Sequence, residues 1–298
     1  MKTLITKLNG TVDNDDLLAI GQIKLNVSKR ANQTIANSYS TLKFEGDKNL
    51  HIRIVGNGFF TGEDFSENYG TSKEVYPNVV NGFYLSNTDC AIIIEDKYNL
   101  TLLNTPNSFE LDGLRYSKKL TGLFCTNVIG DIASLKNLTA LTNLSISGIN
   151  VSGDIASLKS LTALTGLNIS KTNVSGDIAN IYFALSGTTK EFSVAYCNNL
   201  YGNLASLPNN ILFFDSYNGN SKFTWTKGSS RTNILACSNL HCANIDDMLN
   251  DMANMTASFA GQEAYYKTIG LIGTRTSASD AAVQTLQSKG YTVSITPA

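Results

Sequence analysis

Residues 131–153 read Asp-Ile-Ala-Ser-Leu-Lys-Asn-Leu-Thr-Ala-Leu-Thr-Asn-Leu-Ser-Ile-Ser-Gly-Ile-Asn-Val-Ser-Gly, and residues 154–176 repeat them at 18 of 23 positions. A fixed period of this size marks a chain that winds into stacked coils. Asn127-Val128-Ile129-Gly130-Asp131-Ile132 returns as Asn150-Val151-Ser152-Gly153-Asp154-Ile155 and again as Asn173-Val174-Ser175-Gly176-Asp177-Ile178. Leu138, Leu141, Leu144 and Ile146 return as Leu161, Leu164, Leu167 and Ile169. In Leu144-Ser145-Ile146 apolar and polar residues alternate, as in a strand with one buried face, while the Leu-x-x-Leu spacing before it suits a helical or 3₁₀ turn. Each unit is one strand and one turn, and neither can bury its apolar side alone. Stacking closes the core, at roughly 1.5–3 kcal/mol for each Leu or Ile side chain withdrawn from water. A stack of coils offers long surfaces rather than a deep pocket, which argues against an enzyme.

The differences between the copies are Asn137/Ser160, Asn143/Gly166, Ser145/Asn168, Gly148/Lys171 and Ile149/Thr172. Asn143, Ser145 and Gly148 are expected to point outward, on or beside the concave sheet. Asn143, Ser145, Gly166 and Asn168 are therefore candidates for a partner surface. The changes are either relaxed variation at solvent positions or the retuning of a contact face.

Composition narrows the function classes. The net charge is −1 and the pI about 6.1, so no basic field points to nucleic acid or anionic lipid. Only 16% of residues are charged, and Asn, Ser, Thr and Gly are abundant, as in many adhesive and fibre-like proteins. The five cysteines include no Cys-x-x-Cys pair, and an odd count without a regular framework argues for reduced thiols made in a reducing compartment. A zinc site at Cys237, His241 and Cys242 lacks a spaced second pair. The N-terminus shows no apolar stretch or cleavage site of a signal peptide, and the longest aliphatic run, Ala91–Ile94, is too short to cross a bilayer. No phosphate loop, nucleophile elbow or His-Glu-x-x-His is present, so no catalytic residue, cofactor or metal is expected. Asp13-Asn14-Asp15-Asp16 reads as a turn and helix start. Asp131, Asp154 and Asp177 are expected to splay into solvent or cap backbone amides, since like charges one strand apart repel.

The rest of the chain departs from the period. Residues 1–95 form a β-rich module in which 18–27, 50–55 and 90–94 read as strands. Between them, 56–82 reads as a long loop carrying Phe59, Phe60 and Tyr69, which either cover the open end of the coil stack or meet a partner. Phe213, Phe214, Tyr217, Phe223 and Trp225 alternate with polar residues, so Trp225 is either a docking aromatic or part of a plug into its own core. From about 244 to 298 the pattern is helix, strand, helix, strand. Ile245, Met248, Leu249 and Met252 share one helical face behind Asn244 as N-cap, Ser277 or Ser279 caps the second helix, and Gly290 ends it.

The repeat resembles the leucine-rich repeat family, and its Leu-x-Ile…Val-x-Gly-x-Ile segment is similar to the plant-type variant. The family's ladder Asn falls at Thr126, Ile149 and Thr172, with Asn127, Asn150 and Asn173 one step later. Either the ladder breaks at Ile149 or a bulged turn lets the next Asn cap the backbone. Lys7-Leu8-Asn9-Gly10-Thr11-Val12-Asp13-Asn14-Asp15-Asp16-Leu17-Leu18 resembles the N-termini of virion-associated proteins of crAss-like phages that infect Bacteroides. Ile272-Gly273-Thr274-Arg275-Thr276-Ser277-Ala278-Ser279-Asp280 is similar to tails attached to leucine-rich segments in the same setting. The fold class expected is α/β: a 1–95 attachment module, then a leucine-rich solenoid over 96–298 with a C-terminal helix/strand cap. The resemblance implies a head fibre or decoration protein on a capsid, or a tail-associated fibre, with a bacterial leucine-rich interaction protein as the alternative. Implied partners are other virion proteins and host-surface or mucus glycan or protein, with assembly in the host cytoplasm and a homo-dimer favoured.

Overall fold

The computed structural model describes the backbone of strands between residues 23 and 105, and residues 110–115, 117–181, 191–217, 222–257 and 264–297. The chain divides into two compact units, Met1–Ala140 and Leu141–Ala298. The turn expected at 13–16 lies outside the described residues, as do the side chains of Phe59, Phe60 and Tyr69.

In the first unit, Ile23–Val27, Cys90–Ile94, Ile52–Val55 and Ser72–Val75 form an antiparallel sheet in that order. The expected loop over 56–82 is instead mostly strand. Gly58–Gly62 pairs with Phe65–Tyr69 and with Val79–Ser86, so Phe59, Phe60 and Tyr69 belong to strands. Aromatic residues favour the pleated sheet, and the glycines and asparagines among them punctuate short strands rather than mark one continuous loop. Ser40–Phe44 runs antiparallel to both Val79–Ser86 and Leu100–Thr105. Leu100–Thr105 then pairs in parallel with Gly122–Thr126, with Leu103 opposite Leu123. One strand therefore joins the antiparallel pairing to the repeat.

The second unit is a parallel ladder. Asn143–Ser147 pairs with Gly166–Asn168, followed by Glu191–Ser193, Phe213–Asp215, Ala236–Ala243, Thr268–Ile272 and Thr292–Thr296. Leu144, Ile146, Leu167, Ile169, Phe192, Val194, Phe214 and Cys237 point inward and are buried, as the alternation predicts. A second ladder, Asn150–Asp154, Asn173–Asp177, Asn199–Asn203 and Lys222–Thr224, runs beside it. Both ladders meet in Ala236–Ala243, whose start pairs with Phe213–Asp215 and whose end pairs with Phe223 and Thr224.

The first three second-ladder strands end in the 3₁₀ turns Ile155–Leu158, Ile178–Ile181 and Leu204–Ser206. Asp154, Asp177 and Asn203 accept hydrogen bonds from the amides of Ala156, Ala179 and Ala205 at 2.8, 2.9 and 3.0 Å. Asp131 does the same for Ala133 in the first unit, at 2.8 Å. The carboxylate row is thus a set of caps for 3₁₀ donors that would otherwise be unpaired. The glycine before each cap has a left-handed backbone, φ +114° at Gly176 and +136° at Gly202. A Cβ on Gly176 would lie 2.6 Å from Asp154 Oδ1, and one on Gly202 would lie 2.3 Å from Asp177 Oδ1. Each glycine therefore rests on the cap of the coil before it.

The ladder Asn resolves as a break with a substitute. Ile149 is 73% exposed, whereas Thr172 is buried and its hydroxyl donates to Ile169 O at 2.7 Å. Asn173 Nδ2 donates to Ile149 O at 2.5 Å, so the next asparagine serves the carbonyl beside the missing rung.

The C-terminal cap consists of helix Ile245–Ala253, strand Thr268–Ile272, helix Asp280–Ser288 and strand Thr292–Thr296. Ile245, Met248, Leu249 and Met252 are buried on one helical face. Asn244 is not the expected side-chain cap. It adopts a left-handed backbone and its Nδ2 donates to Trp225 O at 3.2 Å. Ser279 is likewise diverted from capping the second helix. Its hydroxyl donates to Asp246 Oδ1 at 2.6 Å, and Asp246 also accepts from the Thr276 amide and hydroxyl, which pins the helices together.

Candidate binding surface

The outward residues of the second-unit ladder form its candidate surface. Asn143 and Asn168 are exposed, and Ser145 and Gly166 are half-buried, in register on neighbouring strands. All four occupy the outward positions expected from the alternation. Trp225 does not join them. It is fully buried, and its Nε1–H donates to Asp251 Oδ2 at 2.8 Å, which also accepts the amides of Gly228 and Ser229. An indole fills the volume of a coil that lacks the usual leucines and still finds a partner for its polar edge. Phe59, Phe60 and Tyr69 belong to strands of the other unit.

Across the middle of the face runs a chain of hydroxyls and one carboxylate. Ser170 Oγ and Ser193 Oγ are 2.9 Å apart, Ser193 Oγ donates to Asp215 Oδ2 at 2.9 Å, and Ser238 Oγ donates to Asp215 Oδ1 at 2.8 Å. The Tyr217 amide adds a third donor to Asp215, at 3.1 Å. Strand register places Ser193, Asp215 and Ser238 side by side on successive coils.

Aromatic residues flank this track on both sides. Toward the strand starts, Tyr266 rises from the 3₁₀ turn Ala264–Lys267, packs edge-to-face on Phe213 at 6.0 Å and donates from its hydroxyl to Glu191 Oε1 at 2.8 Å. Toward the strand ends, Tyr196 and Tyr217 are 42% and 41% exposed and meet edge-to-face at 5.7 Å. Lys171 Nζ lies 5.4 Å from the Tyr196 ring centroid. Lys171 and Tyr196 both have positive φ, 60° each, so the chain turns sharply as it leaves the ladder there.

The sequence pattern missed Glu191, Tyr196, Asp215 and Tyr266, and read Phe213 and Tyr217 only as docking aromatics or parts of a plug. A signal was present: Phe192-Ser193-Val194 and Phe213-Phe214-Asp215 keep the strand alternation, with phenylalanine in the leucine position. Tyr266 carried none, because it reaches the face from a turn between coils.

The inward chemistry is inert. Cys125, Cys197, Cys237 and Cys242 are buried thiols outside any disulfide, and burial pushes Cys242 up to about 12 and raises Cys197 and Cys237 as well. A thiol held protonated is a poor nucleophile and a poor metal ligand.

No protein-family model and no curated protein matches the sequence. Among solved structures, the crystal structure of PEPR1–AtPEP1 is similar at 21% identity and a TM-score of 0.43, over 60% of this chain and 26% of that one. This chain therefore spans about a quarter of that protein's length. Internalin C2 from Listeria monocytogenes is similar at 17% identity and a TM-score of 0.42, over 67% of this chain and 83% of that one. Internalin F from the same organism shows 18% identity and a TM-score of 0.32, over 68% and 69%. On its own geometry, a parallel ladder renewed every coil over buried leucines and capped 3₁₀ turns, the repeat region has the fold of a leucine-rich repeat solenoid.

Proposed function

We propose that this chain is a non-catalytic adhesive protein that meets a macromolecular partner with the outward ladder face of its repeat unit. One observation carries this. Between the two near-identical copies the buried ladder residues Leu144/Leu167 and Ile146/Ile169 are unchanged, while the outward Asn143/Gly166 and Ser145/Asn168 differ. A frame kept while its face changes is what a binding scaffold requires.

The finer assignment is a phage virion protein: a head fibre or decoration protein whose residues 1–95 hold the capsid and whose residues 96–298 form the displayed arm. The resemblance of both terminal segments to crAss-like phage proteins supports it, as does a surface of amide and hydroxyl groups. Pairing of two copies through the N-terminal module would raise avidity without new contacts per chain. Quantitative mass spectrometry of purified particles tests the assignment. Peptides from this chain at a fixed ratio to the major capsid protein are expected. Peptides confined to the host envelope fraction would make it a bacterial interaction protein instead.

A further inference from the structure

We infer that the outward ladder face takes a lysine- or arginine-bearing segment of a partner protein, its cation received by the Asp215 carboxylate beside the exposed rings of Tyr196 and Tyr217. This deepens the adhesive role proposed above and rests on it.

Charge is the first ground. Among the described outward ladder positions of the second unit the only charged residues are Glu191 and Asp215, and no Lys or Arg stands on the strands of that face. Asp215 receives its hydrogen bonds from two serine hydroxyls and one backbone amide. These donors orient the carboxylate and bring no compensating charge. A carboxylate offers about four lone-pair sites, so one remains for a donor from outside.

The aromatic edge is the second ground, and it is independent of the first. The Tyr196 ring already holds an ammonium in the fold, that of Lys171 at 5.4 Å. Tyr217 abuts that ring and lies two residues beyond Asp215, in the turn whose amide at Tyr217 donates to the Asp215 carboxylate at 3.1 Å. A carboxylate beside electron-rich ring faces is a site for a cation. The hydroxyls of Ser193 and Ser238 flank it on the two neighbouring strands, with Ser170 Oγ 2.9 Å beyond Ser193 Oγ, and can accept hydrogen bonds from the backbone of a segment lying across the coils. Sulfated or sialylated glycans and nucleic acids would be repelled by the two carboxylates. A neutral sugar could stack on the rings but would leave the charge unused.

The test uses the full chain and a fluorescent twelve-residue peptide of lysines separated by serine and glycine. Anisotropy titrations compare it with the same peptide acetylated at every lysine, with a neutral oligosaccharide and with a sulfated one. The lysine peptide is expected to bind and the acetylated and sulfated probes to fail. Asp215→Asn should weaken binding about tenfold and Tyr217→Ala several-fold. Asp247→Asn, which removes the same charge from a helix away from the ladder, should leave binding unchanged. The proposal is overturned if the lysine peptide does not bind, if acetylation makes no difference, or if Asp247→Asn weakens binding as much as Asp215→Asn. Binding of the neutral oligosaccharide alone, lost in Tyr217→Ala, would overturn the cation assignment while leaving the ladder an adhesive face. Because the acetylation comparison uses only the unaltered protein, an unfolded variant cannot obscure the result.

Discussion

The coil at 154–181 and the coils at 204–257 solve the same problem with different means. In the first, every requirement is met within a few residues or by the adjacent coil. Asp154 caps Ala156, Gly176 clears Asp154, and leucines and isoleucines fill the inside. In the second, single polar side chains each gather several backbone groups of the neighbouring coil. Arg231 is buried, and its guanidinium donates to the carbonyls of Leu207, Pro208 and Ile211 at 2.7, 2.6 and 2.7 Å. Asn209 Oδ1 accepts the Thr232 amide at 2.7 Å, and Asp251 gathers Trp225, Gly228 and Ser229. Desolvation pushes the Arg231 guanidinium down to about 10, and among the described residues no carboxylate pairs with it to offset the cost of burial. A regular coil is built from propensity and pattern, and an irregular one from specific polar ties.

If this contrast holds, Arg231→Ala should be the most damaging single change. It strands three carbonyls in the interior, and a loss of about 3–5 kcal/mol is expected in chemical denaturation. A loss under 1 kcal/mol would mean the irregular coils are not held by that tie. In the regular coil, Leu167→Ala should cost about 2–5 kcal/mol and the neighbouring Asn168→Ala less than about 0.5. Equal melting shifts for the two would show the strand register to be wrong.

Gly176→Ala should cost about 1–3 kcal/mol, because alanine must adopt φ +114° and meet the Asp154 carboxylate. Pairing it with Asp154→Ala in a double-mutant cycle would separate the steric part from the backbone part. Ser216 occupies the inward position filled by Ile146, Ile169 and Val194, and its buried hydroxyl has no hydrogen-bond partner. Ser216→Val should therefore raise stability by about 1 kcal/mol. A lowered melting temperature would show that the site needs the smaller side chain.

The smallest effect is pH-linked. The Ser279 hydroxyl, followed by the amide and hydroxyl of Thr276, holds the Asp246 carboxyl below its ordinary value of 3.8. Its contribution is present above that value and lost as pH falls through the lower folded one. The advantage of the wild type over Asp246→Asn should be constant near neutrality and shrink below pH 3.8. An advantage that persists at lower pH would mean the carboxylate is not the group holding the two helices.

The same contrast explains what could be read from sequence. The ladder, the inward residues, the turn and the helical cap were legible because each depends on neighbours at fixed spacing. The caps formed by Asp131, Asp154 and Asp177 were foreseen as one of two uses of that row. Asn244 and Ser279 were misassigned because their partners, Trp225 and Asp246, are distant in sequence, and periodicity carries no information about such ties; Trp225, read as a docking aromatic or a core plug, is the plug. Asn143, Ser145, Gly166 and Asn168 were placed correctly on the outer face. The carboxylate and ring cluster around Asp215 went unseen because its members come from four separate segments. In the first unit the glycine and asparagine punctuation over 56–82 outweighed the strand propensity of the aromatics.

The seating of each glycine on the preceding coil's aspartate has a genetic consequence. Asp154 leaves room for nothing larger than glycine at 176, and Asp177 does the same at 202. The coil from Asp177 to Gly202 is three residues longer than the one from Asp154 to Gly176 and still keeps its seat, so length can vary between seats provided the glycine returns to its place. Gain or loss of a whole 23-residue block restores every seat at once. Unequal exchange between the copies at 131–153 and 154–176 can thus lengthen or shorten the array without refitting any joint, and each added coil brings another row of outward positions open to change.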